Sequence, residues 1–263
     1  MKTPTVQTVC DAMNRIAPKY LAEEWDNPGL LVGDPHQAVS KILICLDLND
    51  DMIQRAVATK TQLIITHHPM IFRAIKSIRT DLPLGQKISG LIKNDIACFA
   101  AHTNLDSASG GVNDVLAKKI GLVDIKPFDE ELTLGRIGNL QREMSAKEFA
   151  FHVKKLLKAD HIRLINAGDF LIKRVGICGG AGSEFISKAK FLGADAFVTG
   201  DVKYHEAQSA VENKIHVVDA GHFATELPIV HALAERLKEE FKRLNISIEV
   251  LEDTSAKDFF KII

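Results

Sequence analysis

The run Leu63-Ile64-Ile65-Thr66-His67-His68-Pro69 limits the fold more than any other stretch of the chain. Its apolar part is short and β-branched, as expected of a strand covered on both faces. Pro69 lacks an N–H and biases His68 away from helix, so the strand must end there. Two adjacent imidazoles serve one cavity only where a strand ends and the chain turns. In open α/β sheets that carboxyl end is where ligands bind.

The same pattern recurs. Ile42–Leu46, Ile96–Ala101, Ala194–Thr199 and Ile215–Val218 read as buried strands, and Ile246–Leu251 as a final one. Helical spacing fills most of the intervals, with Asn49 able to cap a helix to about Thr59 and Ser145 with Glu148 forming a capping box. Strands alternating with helices in this way predict βαβ units and mainly parallel sheets. At one constant offset Cys45 meets Cys178, Ile53 meets Ile186, Ala56 meets Ala189 and Thr66 meets Thr199. The expected fold is therefore α/β: two related, intertwined halves with sheets flanked by helices, arranged about a pseudo-two-fold. The expected division is residues 1–128 and 129–263, with the segment from about 220 returning to a shared cleft. His67-His68 corresponds to Gly200-Asp201, so the chemistry is asymmetric.

Composition excludes several classes. With 263 residues, 46% hydrophobic, 25% charged and a net charge of −1, the chain reads as globular, with no basic field for nucleic acid. No apolar run approaches the ~18 residues of a membrane helix, and no signal core follows Met1. Cys45, Cys98 and Cys178 lie in apolar runs and Cys10 stands apart, with no CxxC spacing. Buried free thiols and a reducing cytoplasm are expected.

Five residues of metal-ligand type follow buried strands: His67, His68, Asp106, His222 and Glu226. Each has an ordinary use alone. A His-His pair can be structural, His222 and Glu226 can be an i,i+4 pair, and Asp106 can cap a helix. Together they suit two divalent ions per subunit (zinc, iron or manganese), because one catalytic zinc needs only three side chains. Glu226 can bridge two ions, and His67 and His68 are expected to serve different ones. The glycines at 179, 180 and 182 open a helix. A phosphate cradle and tight packing are both open there. Trp25, the only tryptophan, reads as a packing anchor ahead of a site wall.

Taken with Glu24-Trp25-Asp26-Asn27-Pro28-Gly29-Leu30, Thr66-His67-His68-Pro69, His102-Thr103-Asn104-Leu105-Asp106, Gly110-Gly111-Val112-Asn113-Asp114, Thr199-Gly200-Asp201 with Tyr204-His205, and Asp219-Ala220-Gly221-His222 with Glu226, the chain resembles the NIF-three-like (YbgI-type) family of GTP cyclohydrolase 1 type 2 homologues. The resemblance runs over nearly the whole chain. It implies a dinuclear centre on the same five residues, a homohexamer, and hydrolytic opening of the purine ring of GTP with release of formate. His102, Asp201 and His205 are candidates for orienting ligands or moving protons. Another metallohydrolase, such as a phosphoesterase, and a non-catalytic metal-binding or interaction protein remain open alternatives.

Overall fold

A computed structural model of the chain describes residues 3–129 and 133–262. Two compact units result: Met1–Ala108 with Val230–Ala256, and Ser109–Ile229 with Lys257–Ile263. The first contains α1 (Val6–Ile16), β1 (Gly29–Val32), β2 (Lys41–Cys45), α2 (Asp50–Thr59), β3 (Leu63–Thr66), α3 (Pro83–Lys93), β4 (Ala97–Ala100) and α4 (Thr103–Ser107). The second contains α5 (Val112–Lys119), β5 (Val123–Pro127), β6 (Arg136–Met144), α6 (Ala146–Leu157), β7 (Arg163–Ile165), β8 (Ile172–Ile177), α7 (Ile186–Phe191), β9 (Ala196–Thr199), α8 (Tyr204–Glu212), β10 (His216–Asp219) and α9 (His222–Glu226). The chain then runs through α10 (Pro228–Arg243) to β11 (Glu249–Glu252).

Among the described residues the first unit holds one sheet in the order β1-β4-β3-β2-β11 and the second holds β5-β6-β8-β9-β10-β7. The strands β4, β3, β2 and β11 are parallel, as are β8, β9 and β10. β1 pairs antiparallel with β4, and β7 antiparallel with β10. Leu63, Ile64 and Ile65 on β3 are wholly buried, each contributing about 1.5–3 kcal/mol of apolar burial. The helix α2 begins where Asn49 Oδ1 accepts from the Met52 N–H at 2.9 Å. It turns Met52, Ile53 and Ala56 onto the core. For α6, Ser145 Oγ accepts from the Glu148 N–H, while the Glu148 carboxylate pairs with Arg142.

The duplication has a structural counterpart within each unit. The order β1-β4-β3-β2 in one matches β7-β10-β9-β8 in the other, down to the antiparallel edge strand. Register matches too. Ile42 lies opposite Leu63 and Ile44 opposite Ile65; Val175 lies opposite Ala196 and Ile177 opposite Val198. These pairs keep the offset that aligns Cys45 with Cys178. A five-residue helix follows the third parallel strand in both cases, α4 after β4 and α9 after β10.

The unit boundary falls between Ala108 and Ser109, whereas the sequence pattern divides the chain at 128. The physical reason is α5. Its Leu116 and Ala117, with Ile120, pack in one cluster with Leu140, Val175 and Ile177. His222 and Glu226 stay in the second unit, and the return to the first begins at Val230. That return is held by β11 pairing with β2 and by Leu251 packing on the core.

The strands β1, β5 and β6 are not marked by the apolar runs of the sequence. β6 carries exposed Gln141, Arg142 and Glu143, and its buried end begins with Arg136, neutralised by Asp114. The glycines around it are close-contact positions. A Cβ on Gly135 would lie 1.9 Å from the Phe128 ring, and one on Gly138 would lie 2.9 Å from the Val123 carbonyl oxygen.

Candidate metal centre

At the end of β3 the pleat breaks. The His67 N–H donates to the carbonyls of Cys45 and Leu46, and the His68 N–H also donates to Leu46, at 3.1 Å. Successive N–H groups in a regular strand point to opposite sides. Here both face β2, and the two imidazoles come together with ring centroids 4.9 Å apart. Thr66 Oγ1 closes the turn by donating to the His68 carbonyl at 2.8 Å.

His102, just past β4, completes a trio. Its ring centroid lies 5.3 Å from that of His67 and 5.7 Å from that of His68. One ligand atom from each of the three lies within 4.8 Å of the others. Asp106 sits one turn along α4, its Oδ1 3.6 Å from His67 Nε2. That separation exceeds a direct hydrogen bond.

The other ring nitrogens decide what this trio can hold. His67 Nδ1 lies 2.8 Å from the Ala101 carbonyl oxygen. A carbonyl only accepts, so Nδ1 carries a proton, which in the neutral imidazole puts the lone pair on Nε2. His68 Nδ1 lies 2.8 Å from Asp47 Oδ1, and His102 Nδ1 2.8 Å from Asp26 Oδ1. Carboxylates orient those imidazoles in the same sense. This is the arrangement that fixes tautomer and raises basicity in metal-binding histidines. Asp26 and Asp47 are the partners that sequence reading misses. Asp26 lies within a motif already singled out and Asp47 follows a strand, but the use of each depends on a residue farther along the chain.

In the second unit α9 repeats the device. His222 Nδ1 lies 2.8 Å from Asp201 Oδ2, and His222 Nε2 faces Glu226 Oε2 at 3.2 Å. Asp201 adopts φ +56, a left-handed conformation that Asp tolerates better than most residues. The start of α9 is fixed by Asp219, a largely buried residue whose carboxylate accepts from the N–H groups of Val202 and Gly221 and pairs with Arg163. Of the three candidates for orienting ligands or moving protons, Asp201 is the one bonded to His222. His205 does not join this group: it lies exposed on α8 beside Tyr204, its Nδ1 3.4 Å from Gln208 Oε1.

His216 is a useful contrast. Its Nδ1 accepts from the Ala167 N–H and its Nε2 faces the Phe170 carbonyl. Burial holds its pKa below the ordinary imidazole value. Both nitrogens serve the fold, so this histidine is structural. The cysteines also stay out of ligand chemistry. All four are free thiols, and burial pushes Cys98 up to about 12 and Cys10 up to about 11.

The glycine loop proves to be packing. The N–H of Gly179 donates to Asn113 Oδ1, that of Gly180 to Thr225 Oγ1 and that of Gly182 to Thr199 Oγ1. Those three glycine donors are committed to the protein itself. Gly180 has φ +62, and a Cβ there would stand 2.2 Å from Glu226 Oε1.

Asp26 also sets an acid limit on the first unit. Burial pushes its pKa up, but hydrogen bonds from His102 and Thr103 outweigh it and hold the group at about 2. A depressed carboxylate stabilises fully above its unfolded value near 3.8 and loses that contribution as pH falls through about 2. The difference corresponds to about 2 kcal/mol. Unfolding free energies from urea titrations at pH 6 and pH 2 should therefore show a smaller acid loss in Asp26→Asn than in the parent chain, by about that amount.

Comparison with known proteins places the whole chain. Residues 4–257 match the family model described as Duf34/NIF3 (NGG1p interacting factor 3). A Clostridium perfringens protein named "GTP cyclohydrolase 1 type 2 homolog" is 38% identical over 260 residues, covering 97% of this chain and 98% of that one. Among solved structures, a Bacillus cereus protein related to NIF3 superposes with a TM-score of 0.94 at 26% identity, covering 100% of both chains. The reduced HcgD of Methanocaldococcus jannaschii gives 0.81 at 28% identity, over 96% of this chain and 98% of that one.

Proposed function

Because the chain belongs to the Duf34/NIF3 family, we propose that it is a dinuclear metal-dependent hydrolase of the GTP cyclohydrolase 1 type 2 kind, opening the purine ring of GTP with release of formate. The observation that carries this reading is the shared orientation of His67, His68, His102 and His222. Each has Nδ1 on a carbonyl or carboxylate oxygen, which leaves Nε2 as the ligand atom in His67, His68 and His222 and as the proton-accepting atom in His102. The proposed ligands are His67, His68, Asp106, His222 and Glu226. This nitrogen and oxygen donor set suits zinc, iron or manganese rather than calcium.

The chemistry such ions supply is Lewis acidity, which brings the pKa of water to about 7 and offsets charge developing on oxygen. The chain's own residues do the rest. Asp47 and Asp201 hold His68 and His222 in their ligating tautomers. His102, with Nδ1–H held by Asp26, keeps Nε2 available to take a proton from water. The same nitrogen then returns that proton to N9 as the C8–N9 bond breaks, and the water's second proton passes to N7, leaving a formamide on N7. Hydrolysis of the resulting formamide frees formate.

The test is direct. Protein loaded with zinc, manganese or iron should release formate from GTP. Phosphate release from model esters without formate would favour a phosphoesterase. Neither product with any of the three metals would remove the enzymatic reading.

A further inference from the structure

Trp25 is 58% exposed and Phe72 44% exposed, so the indole is not the packing anchor its sequence context suggests. The two rings lie 5.7 Å apart between centroids, tilted by 58°. Each centroid is 6.2 Å from that of His102, with nearly perpendicular planes. The aromatic pair is therefore continuous with the imidazole trio.

The pair is also held in place. Asp26, next to Trp25, bonds His102 Nδ1 and accepts from both the Thr103 N–H at 3.0 Å and Thr103 Oγ1 at 2.5 Å. Asn27 Nδ2 donates to the carbonyl of Ile71, the neighbour of Phe72, at 2.7 Å. The Glu23 N–H donates to Thr103 Oγ1 at 3.0 Å. Trp25 thus presents its ring to solvent while the side chains of the next two residues, Asp26 and Asn27, anchor the loop. Exposed aromatic surface is unfavourable by itself, and a frame built to hold it beside reactive imidazoles points to a ligand that covers it.

We propose that Trp25 and Phe72 form a stacking wall for the planar heteroaromatic ring of the substrate, presenting that ring to the His67–His68–His102 cluster. Stacking on aromatic side chains is tolerant of ring identity because every base has a π-face. The choice of a purine as the ring rests on the hydrolase reading above. The wall itself requires only a flat heterocycle, and sugar phosphates lacking a base should not engage it.

Trp25 is the only tryptophan, so its emission reports on this wall alone. Metal-free protein would be titrated with GTP, guanosine and ribose 5-phosphate. GTP and guanosine should quench the emission, and ribose 5-phosphate should not. Phe72→Leu should weaken guanosine binding about 5- to 100-fold, the range that base stacking on one aromatic side chain supports. In metal-loaded protein the same variant should raise KM for GTP with kcat little changed. Calorimetric titration of Trp25→Phe and Trp25→Ala should rank them in that order. Equal quenching by ribose 5-phosphate, unchanged guanosine affinity in Phe72→Leu, or emission that shifts with protein concentration because a second copy covers the indole would each overturn the proposal. Quenching without formate release would leave the wall standing and the hydrolase reading fallen. Formate release with an unchanged KM in Phe72→Leu would do the reverse.

Discussion

The His68→Ala variant is expected to bind divalent metal at least about 100-fold more weakly than the parent chain and to release no formate from GTP above background. Losing an outer partner of a metal ligand typically costs about 10–100-fold in affinity, and losing the ligand itself costs more. The variant is informative because it should fold. The His68 side chain is 25% exposed and its partner Asp47 is one-third exposed, so breaking that pair leaves Asp47 in contact with solvent. Asp47→Asn provides the graded control. An amide can turn its NH2 toward His68 and no longer favours the Nδ1–H tautomer, so an intermediate loss of about 10–100-fold is expected. Equilibrium dialysis against zinc, with circular dichroism to verify folding, separates the three proteins. Equal metal affinity in all of them would remove His68 from the ligand set.

Gly200→Ala should damage the second unit's contribution without altering any proposed ligand. A Cβ at Gly200 would stand 2.5 Å from the His222 nitrogen, 2.7 Å from the Gly221 carbonyl carbon and 2.9 Å from the His222 Cα. All three are backbone atoms, so no rotamer change relieves the clash, and α9 must move as a body. The expected cost is about 1–3 kcal/mol of stability, as for overpacked sites. A shift of roughly 1 Å in positioning groups can lower rate about 100-fold, and a loss of that size in metal-dependent turnover is expected. Gly90→Ala on α3 is the matching control. Its Cβ would meet Ile53 Cγ2 at 3.6 Å, an ordinary contact, and helix propensity there favours Ala by about 1 kcal/mol. Thermal melts and turnover measured together should give one destabilised, weakly active protein and one of parent-like activity.

The legible parts of this chain are those where local chemistry and burial agree. Leu63–Ile65 can be read as a buried strand because its residues are apolar and β-branched and Pro69 stops it. The repeat survives as matched register because Thr66 and Thr199 end equivalent strands in both units. The strand β6 is obscure for the opposite reason, since its apolar alternation is diluted by Gly138, Gln141 and Arg142 and its buried charge is neutralised from α5. The division at 128 fails at the same place. Nothing local says that α5 packs with β6 and β8 rather than with the strands before it.

The candidate site divides along the same line. Residues able to ligate can be recognised by type at strand ends, as His67, His68 and Asp106 are. Their orienting partners cannot, because Asp26 reaches His102 only through the tertiary fold. The Gly179–Gly182 loop could be read two ways until Asn113, Thr225 and Thr199 were found to take its N–H groups. Exposure of Trp25 was equally hidden, since an indole flanked by polar residues is compatible with a core anchor or a site wall.

Metal content of the anaerobically purified full chain tests the central claim most directly. Elemental analysis should find about two divalent ions per chain, as a dinuclear hydrolase requires, falling in His68→Ala and in His222→Ala while both variants keep their circular dichroism. Less than about one ion per chain after reloading with zinc, manganese or iron, or a content unchanged by both substitutions, would contradict it.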